Sequence, residues 1–186
     1  MFKWFRQASI DPLSVSMAGA KLGDRVLVVG CGDARLIALL AAKAGLSGRA
    51  CAVDESPERA TEAARVALRE GALVETSSSP PTALSFEAAS FDLVVLRDAL
   101  GRLESQLQMM VVQEASRVLR PGGRCMIIDT LAAAGMASLF SAKETPNSRA
   151  DSGSTIELLK KQGFVAVRVL AERDGLRFVE AIKKNS

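Results

Sequence analysis

Arg25-Val26-Leu27-Val28-Val29-Gly30-Cys31-Gly32-Asp33 carries an apolar, β-branched run straight into a turn with a glycine on each side of one residue. A run without polar alternation reads as a strand buried on both faces, the pattern of a parallel sheet covered by helices. Behind the turn, Leu36, Ile37, Leu40, Ala41 and Ala44 recur at helical spacing. Asp33 is placed to cap that helix and Gly45 to stop it. Strand, tight turn and helix form the opening of a doubly wound sheet. Such sheets hold ligands beyond the carboxyl ends of their strands, where the strand order reverses.

The same alternation continues outward. Arg49 to Asp54 is a second buried strand, and Ser56-Pro57 then supplies an N-cap and a first-turn proline, with Glu58 at the positive end of the helix dipole. This helix runs to about Glu70 and stops at Gly71. Ala72 to Glu75 reads as a weak third strand and 76–90 as loop. Asp92 to Leu96 is a fourth strand. Leu107, Met110, Val111, Ala115 and Val118 mark an amphipathic helix, which Pro121-Gly122-Gly123 ends, and Arg124 to Asp129 is a fifth strand. Ser154 and Glu157 have capping-box spacing ahead of a further helix closed by Gly163. Phe164 to Leu170 and Leu176 to Ile182 make a final hairpin through Asp174-Gly175. The expectation is an α/β fold: a seven-stranded, mostly parallel sheet with helices on both faces and an antiparallel C-terminal hairpin strand. No repeat or linker divides it, so residues 1–186 read as one domain. The N-terminal segment covers 1–21, and the irregular stretch 131–153 is a candidate lid.

Composition narrows the function. The 186 residues carry a formal charge of +3, with 48% hydrophobic and 24% charged residues, which is globular composition. No dense Lys/Arg run tracks a phosphate backbone, and aromatics at 4% with no Tyr give no base-stacking platform, so nucleic acid is not the expected partner. His is absent, which removes Ser-His-Asp triads, Cys-His pairs and His-ligated metals. Cys31, Cys51 and Cys125 are odd in number and widely spaced, so neither a disulfide framework nor a metal site is expected. Asp11 and Pro12 interrupt what would be a signal-peptide core, and no apolar run is long enough to cross a bilayer. A cytoplasmic location follows as the expectation. The Phe2, Trp4 and Phe5 cluster reads as a core-capping segment rather than a membrane contact.

Gly30 and Gly32 let a ligand approach the backbone, because no Cβ intervenes. Asp54 ends the neighbouring strand, where a carboxylate can accept both ribose hydroxyls of an adenosine group. Position 35 is Arg35 rather than the third glycine of a dinucleotide loop, and there is no G-K-[ST] cradle, so the site suits an adenosine ligand without a pyrophosphate.

VLVVGCGDA at 26–34, AVDESPE at 52–58, FEAASFDLVVLRDAL at 86–100 and EASRVLRPGGRCMIID at 114–129 together resemble a class I S-adenosylmethionine-dependent methyltransferase. The nearest type is the small-molecule group around the ubiquinone/menaquinone-biosynthesis methyltransferases. The resemblance covers about 22–183 in unbroken motif order. It implies a Rossmann-like fold whose last strand is antiparallel. It also implies S-adenosylmethionine as methyl donor, S-adenosylhomocysteine as product and a small-molecule acceptor. On that reading Gly30, Cys31, Gly32 and Asp33 form the loop at the methionine end of the cofactor, and Asp54 with Glu55 faces the ribose. Pro81 is also a candidate cofactor-binding residue. Arg97 and Asp98 are the strand-end pair facing cofactor and substrate, and are the candidate catalytic residues.

Three positions depart from the family pattern. The acid two residues before the first glycine is Val28, the third loop glycine is Ala34, and the acid that contacts the adenine amine falls on Pro80. The segment after the fourth strand, normally His-containing, reads Ala99-Leu100-Gly101-Arg102-Leu103. Two lost charge-assisted contacts at about 1.5–3 kcal/mol each predict cofactor binding weaker by roughly two to four orders of magnitude. Asp33 is placed to replace part of the missing charge. Among further carboxylates near strand ends, Glu104 and Asp129 are candidate bases, and Arg97 and Arg102 are candidate anchors for an anionic substrate. A second reading stands beside the enzyme: a methyltransferase-like binding or scaffold domain without catalysis. A homo-oligomer is also open, in which a partner protomer covers the cofactor.

Overall fold

A computed structural model describes residues 12–131 and 152–185. In chain order the elements are α1 (Pro12–Ala18), β1 (Arg25–Val29), α2 (Ala34–Ala44), β2 (Arg49–Asp54), α3 (Pro57–Arg69), β3 (Glu75–Ser78), β4 (Phe91–Arg97), α4 (Ser105–Val118), β5 (Leu119–Thr130), α5 (Ser152–Lys161), β6 (Phe164–Arg173) and β7 (Leu176–Lys183). The strands form one seven-stranded sheet in the order β3-β2-β1-β4-β5-β7-β6. Strands β1 to β5 pair in parallel, whereas β7 runs antiparallel to both β5 and β6. The fold is therefore the Rossmann-like α/β architecture expected. Its strand order reverses between β1 and β4.

Alternation along β1 divides the core. Leu27 and Val29 join Val94, Leu96, Val111, Val118 and Leu159 on the face covered by α4 and α5. Val26 and Val28 join Val15, Ala18, Ile37, Leu40 and Ala63 on the face covered by α1, α2 and α3. Val28, where the family carries an acid, is thus a buried core residue (2% exposed) packed under α2.

Local chemistry explains most helix ends. Asp33 accepts a hydrogen bond from the Leu36 N–H at 3.0 Å, and Gly45 closes α2 at φ +66°. Ser56 accepts from the Arg59 N–H, with Pro57 in the first turn of α3. Asp174 and Gly175, at φ +55° and +75°, form the two-residue turn joining β6 to β7, as the Asp-Gly pair predicts.

Four expectations are corrected. The third strand occupies Glu75–Ser78 rather than 72–75, because the Ala72 N–H turns back to the Ala67 carbonyl and completes the end of α3. Pro121-Gly122-Gly123 does not separate α4 from the next strand. The helix ends at Val118, Leu119 is already extended and pairs with Phe91, and β5 passes through the glycines with a register shift. On α4, Val111, Val112, Ala115 and Val118 are buried, while Leu107 and Met110 are exposed. Finally, α5 begins at Ser152, so Ser154 lies inside the first turn rather than at its cap. Helix α1 lies in the expected N-terminal segment. The Phe2, Trp4 and Phe5 cluster and residues 132–151 of the candidate lid fall outside the described residues. No helix among the described residues is long and apolar enough to cross a membrane.

Gly30 fixes how close β1 comes to β4. It sits at φ +100°, and a Cβ there would collide with the backbone carbonyl of Arg97. Gly32 has ordinary φ, and nothing lies within 4 Å of an added Cβ. Gly30→Ala is therefore expected to lower stability by about 2–5 kcal/mol, combining strain and overpacking. Gly32→Ala should change it by less than about 1 kcal/mol. Urea denaturation of the two variants checks the contrast.

Candidate functional site

The carboxyl ends of β1, β2, β4 and β5 border a cleft of about 790 Å3 at the point where strand order reverses. That volume is in the range of small-molecule sites. Gly30, Gly32, Asp54, Glu55, Pro81, Arg97 and Asp98, all expected from sequence, line it. Cys31 and Asp33 are not part of the lining. Cys31 is buried beneath the loop, and Asp33 caps α2. The lining carries Asp54, Glu55, Asp98 and Asp129 against Arg59, Arg97, Arg102 and Arg177. Such a balance does not select a polyanion.

The glycine turn is held from two sides. The Gly30 N–H donates to the Val53 carbonyl at 2.8 Å. The Cys31 N–H donates to Asp54 Oδ2 at 2.7 Å. The other oxygen of Asp54 accepts from the Ser56 N–H at 2.9 Å and from Arg59 Nε and Nη2 at 2.9 and 2.7 Å. Burial works to raise this carboxyl, but the Arg59 fork, the two backbone donors and the Arg59 charge outweigh it and hold the group below its ordinary value. Asp54 is thus ionised, and much of its accepting capacity is in use within the protein. Glu55, beside it, is exposed in the cleft. Burial, reinforced by the Asp54 charge and opposed by Arg59, pushes the Cys31 thiol up to about 12, so it stays neutral and is no nucleophile.

At the other end of the cleft, Asp98 adopts φ +50°, a backbone state that residues other than glycine rarely take. What holds it there is a latch between β4 and β5. The Asp98 N–H donates to the Ile128 carbonyl, and its carboxylate accepts from the Thr130 N–H, the Thr130 hydroxyl and Arg97 Nη1. Both oxygens of Asp98 are therefore engaged.

Asp129, one residue before Thr130, is different. It is 8% exposed, and neither of its oxygens has a hydrogen-bond partner among the described residues. Burial first, and then the Asp98 charge, raise its pKa to about 6 against the pull of Arg177 and Arg97. The cleft wall also holds Ser79, whose buried hydroxyl oxygen has no partner among the described residues. Sequence reasoning weighed Asp129 but did not select it, and did not reach Arg59, Ser79, Thr130 or Arg177. A signal for Asp129 was present: it ends an apolar strand run just as Asp54 does. Arg59 and Ser79 leave no comparable trace.

A family model described as a methyltransferase domain matches residues 26–123. The chain is 35% identical over 121 residues to the chloroplastic 2-phytyl-1,4-beta-naphthoquinone methyltransferase of Arabidopsis thaliana, covering 63% of this chain and 46% of that protein. It is 34% identical over 114 residues to the demethylmenaquinone methyltransferase of Lactococcus lactis, covering 60% of this chain and 44% of that one. This chain thus spans less than half the length of these relatives. Among solved structures it resembles a SAM-dependent methyltransferase from Aquifex aeolicus, with a TM-score of 0.76 at 22% identity over 92% of this chain and 89% of that one. It also resembles the [4+2]-cyclase SpnF, with a TM-score of 0.70 at 17% identity over 95% of this chain and 81% of the other. These structural likenesses concern the fold, which hosts more than one chemistry.

The raised Asp129 pKa is a stability statement. The folded chain binds a proton there more tightly than the unfolded chain does. That contribution is complete below the unfolded value and is lost as pH rises through about 6. Asp129→Asn is therefore expected to stabilise the protein more at about pH 8 than at about pH 4, by up to about 3 kcal/mol. Equilibrium unfolding at the two pH values reads that difference.

Proposed function

Because this chain belongs to the methyltransferase-domain family, we propose that it transfers the methyl group of S-adenosylmethionine to a small-molecule acceptor. The observation that carries the reading is the open backbone at Gly32 beside a cleft at the β1/β4 switch point. Two relatives named as naphthoquinone and demethylmenaquinone methyltransferases support an acceptor of the quinol type.

The residues present fit such a donor. Space over Gly32 admits a ligand against the loop, and Glu55 and the remaining capacity of Asp54 Oδ2 can accept ribose hydroxyls. Arg59 is 59% exposed along its side chain and can withdraw from Asp54 Oδ1 to widen that capacity. Pro81 and the Ser79 hydroxyl, which has no partner among the described residues, line the neighbouring wall. When bound, S-adenosylmethionine supplies an electrophilic methyl group on a good leaving group. Proximity and alignment then account for much of the rate. The chain's own part is to hold the acceptor against the donor. Arg97 and Asp98, braced by Thr130, provide a rigid wall at the end of β4.

S-adenosylhomocysteine is expected to bind saturably in calorimetry. Gly32→Ala should weaken it at least about tenfold while the variant remains as stable as the parent. Asp54→Ala should also weaken it, with a loss of stability from the released loop. A folded protein that gives no heat with ligand at about 1 mM, below the reach of about 4 kcal/mol of binding energy, would replace the transferase reading by the scaffold reading.

A further inference from the structure

We propose that Asp129 is the group that takes the proton from the acceptor's aromatic hydroxyl. This rests on the methyl-transfer and quinol readings above and adds the residue that meets the acceptor.

Placement carries the argument. Asp129 stands at the carboxyl end of β5, in register with Arg177 of β7, and lines the cleft. The other carboxylates of the lining have ordinary reasons to be there. Asp54 ties the glycine turn to β2, Asp98 latches β4 to β5, and Glu55 is exposed to water. Asp129 is buried with neither oxygen hydrogen-bonded among the described residues. A buried acid without partners is a rare expense in a folded protein, and an incoming O–H donor would supply the missing bond.

The surroundings suit such a donor. Asp98 faces Asp129 from the end of β4 and disfavours its ionisation. Arg97 from β4 and Arg177 from β7 favour it, and Arg177 is itself paired with Glu172 at 2.7 Å. With its pKa at about 6, the group is mostly ionised at neutrality yet still basic enough to hold a proton, which suits a general base. A phenolic hydroxyl, with a pKa of about 10, lies within reach of such a base in a site that also holds arginines. In the step, the O–H bond of the acceptor breaks and its electron pair stays on the acceptor. The proton joins a carboxylate oxygen of Asp129. The pair released into the ring, at oxygen or at a ring carbon conjugated with it, is the nucleophile. Asp129 returns the proton to water after the product leaves.

The test compares binding of 1,4-dihydroxynaphthalene, kept reduced under anaerobic conditions, with that of 1,4-dimethoxynaphthalene, which has the same ring and no proton to donate. Each is titrated into the full chain, alone and with S-adenosylhomocysteine. At about pH 8 the diol should bind about tenfold to a hundredfold more tightly than the diether. The gap should shrink as the pH falls through about 6 and Asp129 becomes protonated. In Asp129→Leu, which has no acceptor, the gap should fall to within about twofold. Equal binding of the two probes, or a gap that survives in Asp129→Leu or is flat with pH, overturns the assignment. The pH dependence of the unmodified chain decides the matter even if the variant does not fold. Failure of S-adenosylhomocysteine to bind overturns the methyl-transfer reading, while the diol preference of the chain alone still tests Asp129.

Discussion

The cleft depends on a single close approach. The Gly30 N–H reaches the Val53 carbonyl on one side, and on the other the missing Cβ of Gly30 leaves room for the Arg97 carbonyl. With any side chain at that position, the end of β1 could not lie between the ends of β2 and β4. Asp54 then secures the turn through the Cys31 N–H and joins it to the start of α3 through the Ser56 N–H. The floor of the site is therefore built from backbone groups and one ionised carboxylate.

Where burial shaped the sequence, the fold could be read from it. Strands β1, β2, β4 and β5 are apolar through their interiors because helices cover both faces, and each is visible as a run. Strand β3 is not. Glu75-Thr76-Ser77-Ser78 lies at the sheet edge and is held by backbone pairing with β2, which asks little of its side chains. Pro121-Gly122-Gly123 is a local stop signal that the pairing of Leu119 with Phe91 overrides. At the site, the glycine turn and Asp54 were legible because strand, turn and helix occur in a fixed order. That Asp54 is shared with Arg59, or that among the described residues Asp98 has both oxygens engaged while Asp129 has neither, is decided by distances across the sheet and leaves no periodic trace.

The polar groups at the strand ends divide into those that hold the wall and those that tolerate a deficit. Asp98 accepts a strained φ of +50° and in return ties Arg97 and Thr130 into one unit. Asp129 and Ser79 are left incomplete within the described residues. Strain and unmet hydrogen bonds of this kind gather at functional sites, where a ligand completes what the fold does not. Elsewhere a buried acid is matched by cations. Glu180, for example, is buried between Arg124 and Arg168.

The irregular course of β6 has a consequence for how copies of the protein meet. Ala166 takes φ +51°, and the register against β7 slips twice, between Val165 and Arg168 and again between Val169 and Ala171. The outer rim of the sheet consequently presents an interrupted ladder of amide groups, studded with Arg168, Glu172 and Arg173. A neighbouring chain cannot zip onto such a rim in continuous register, so this side of the molecule is guarded against fibre-like growth.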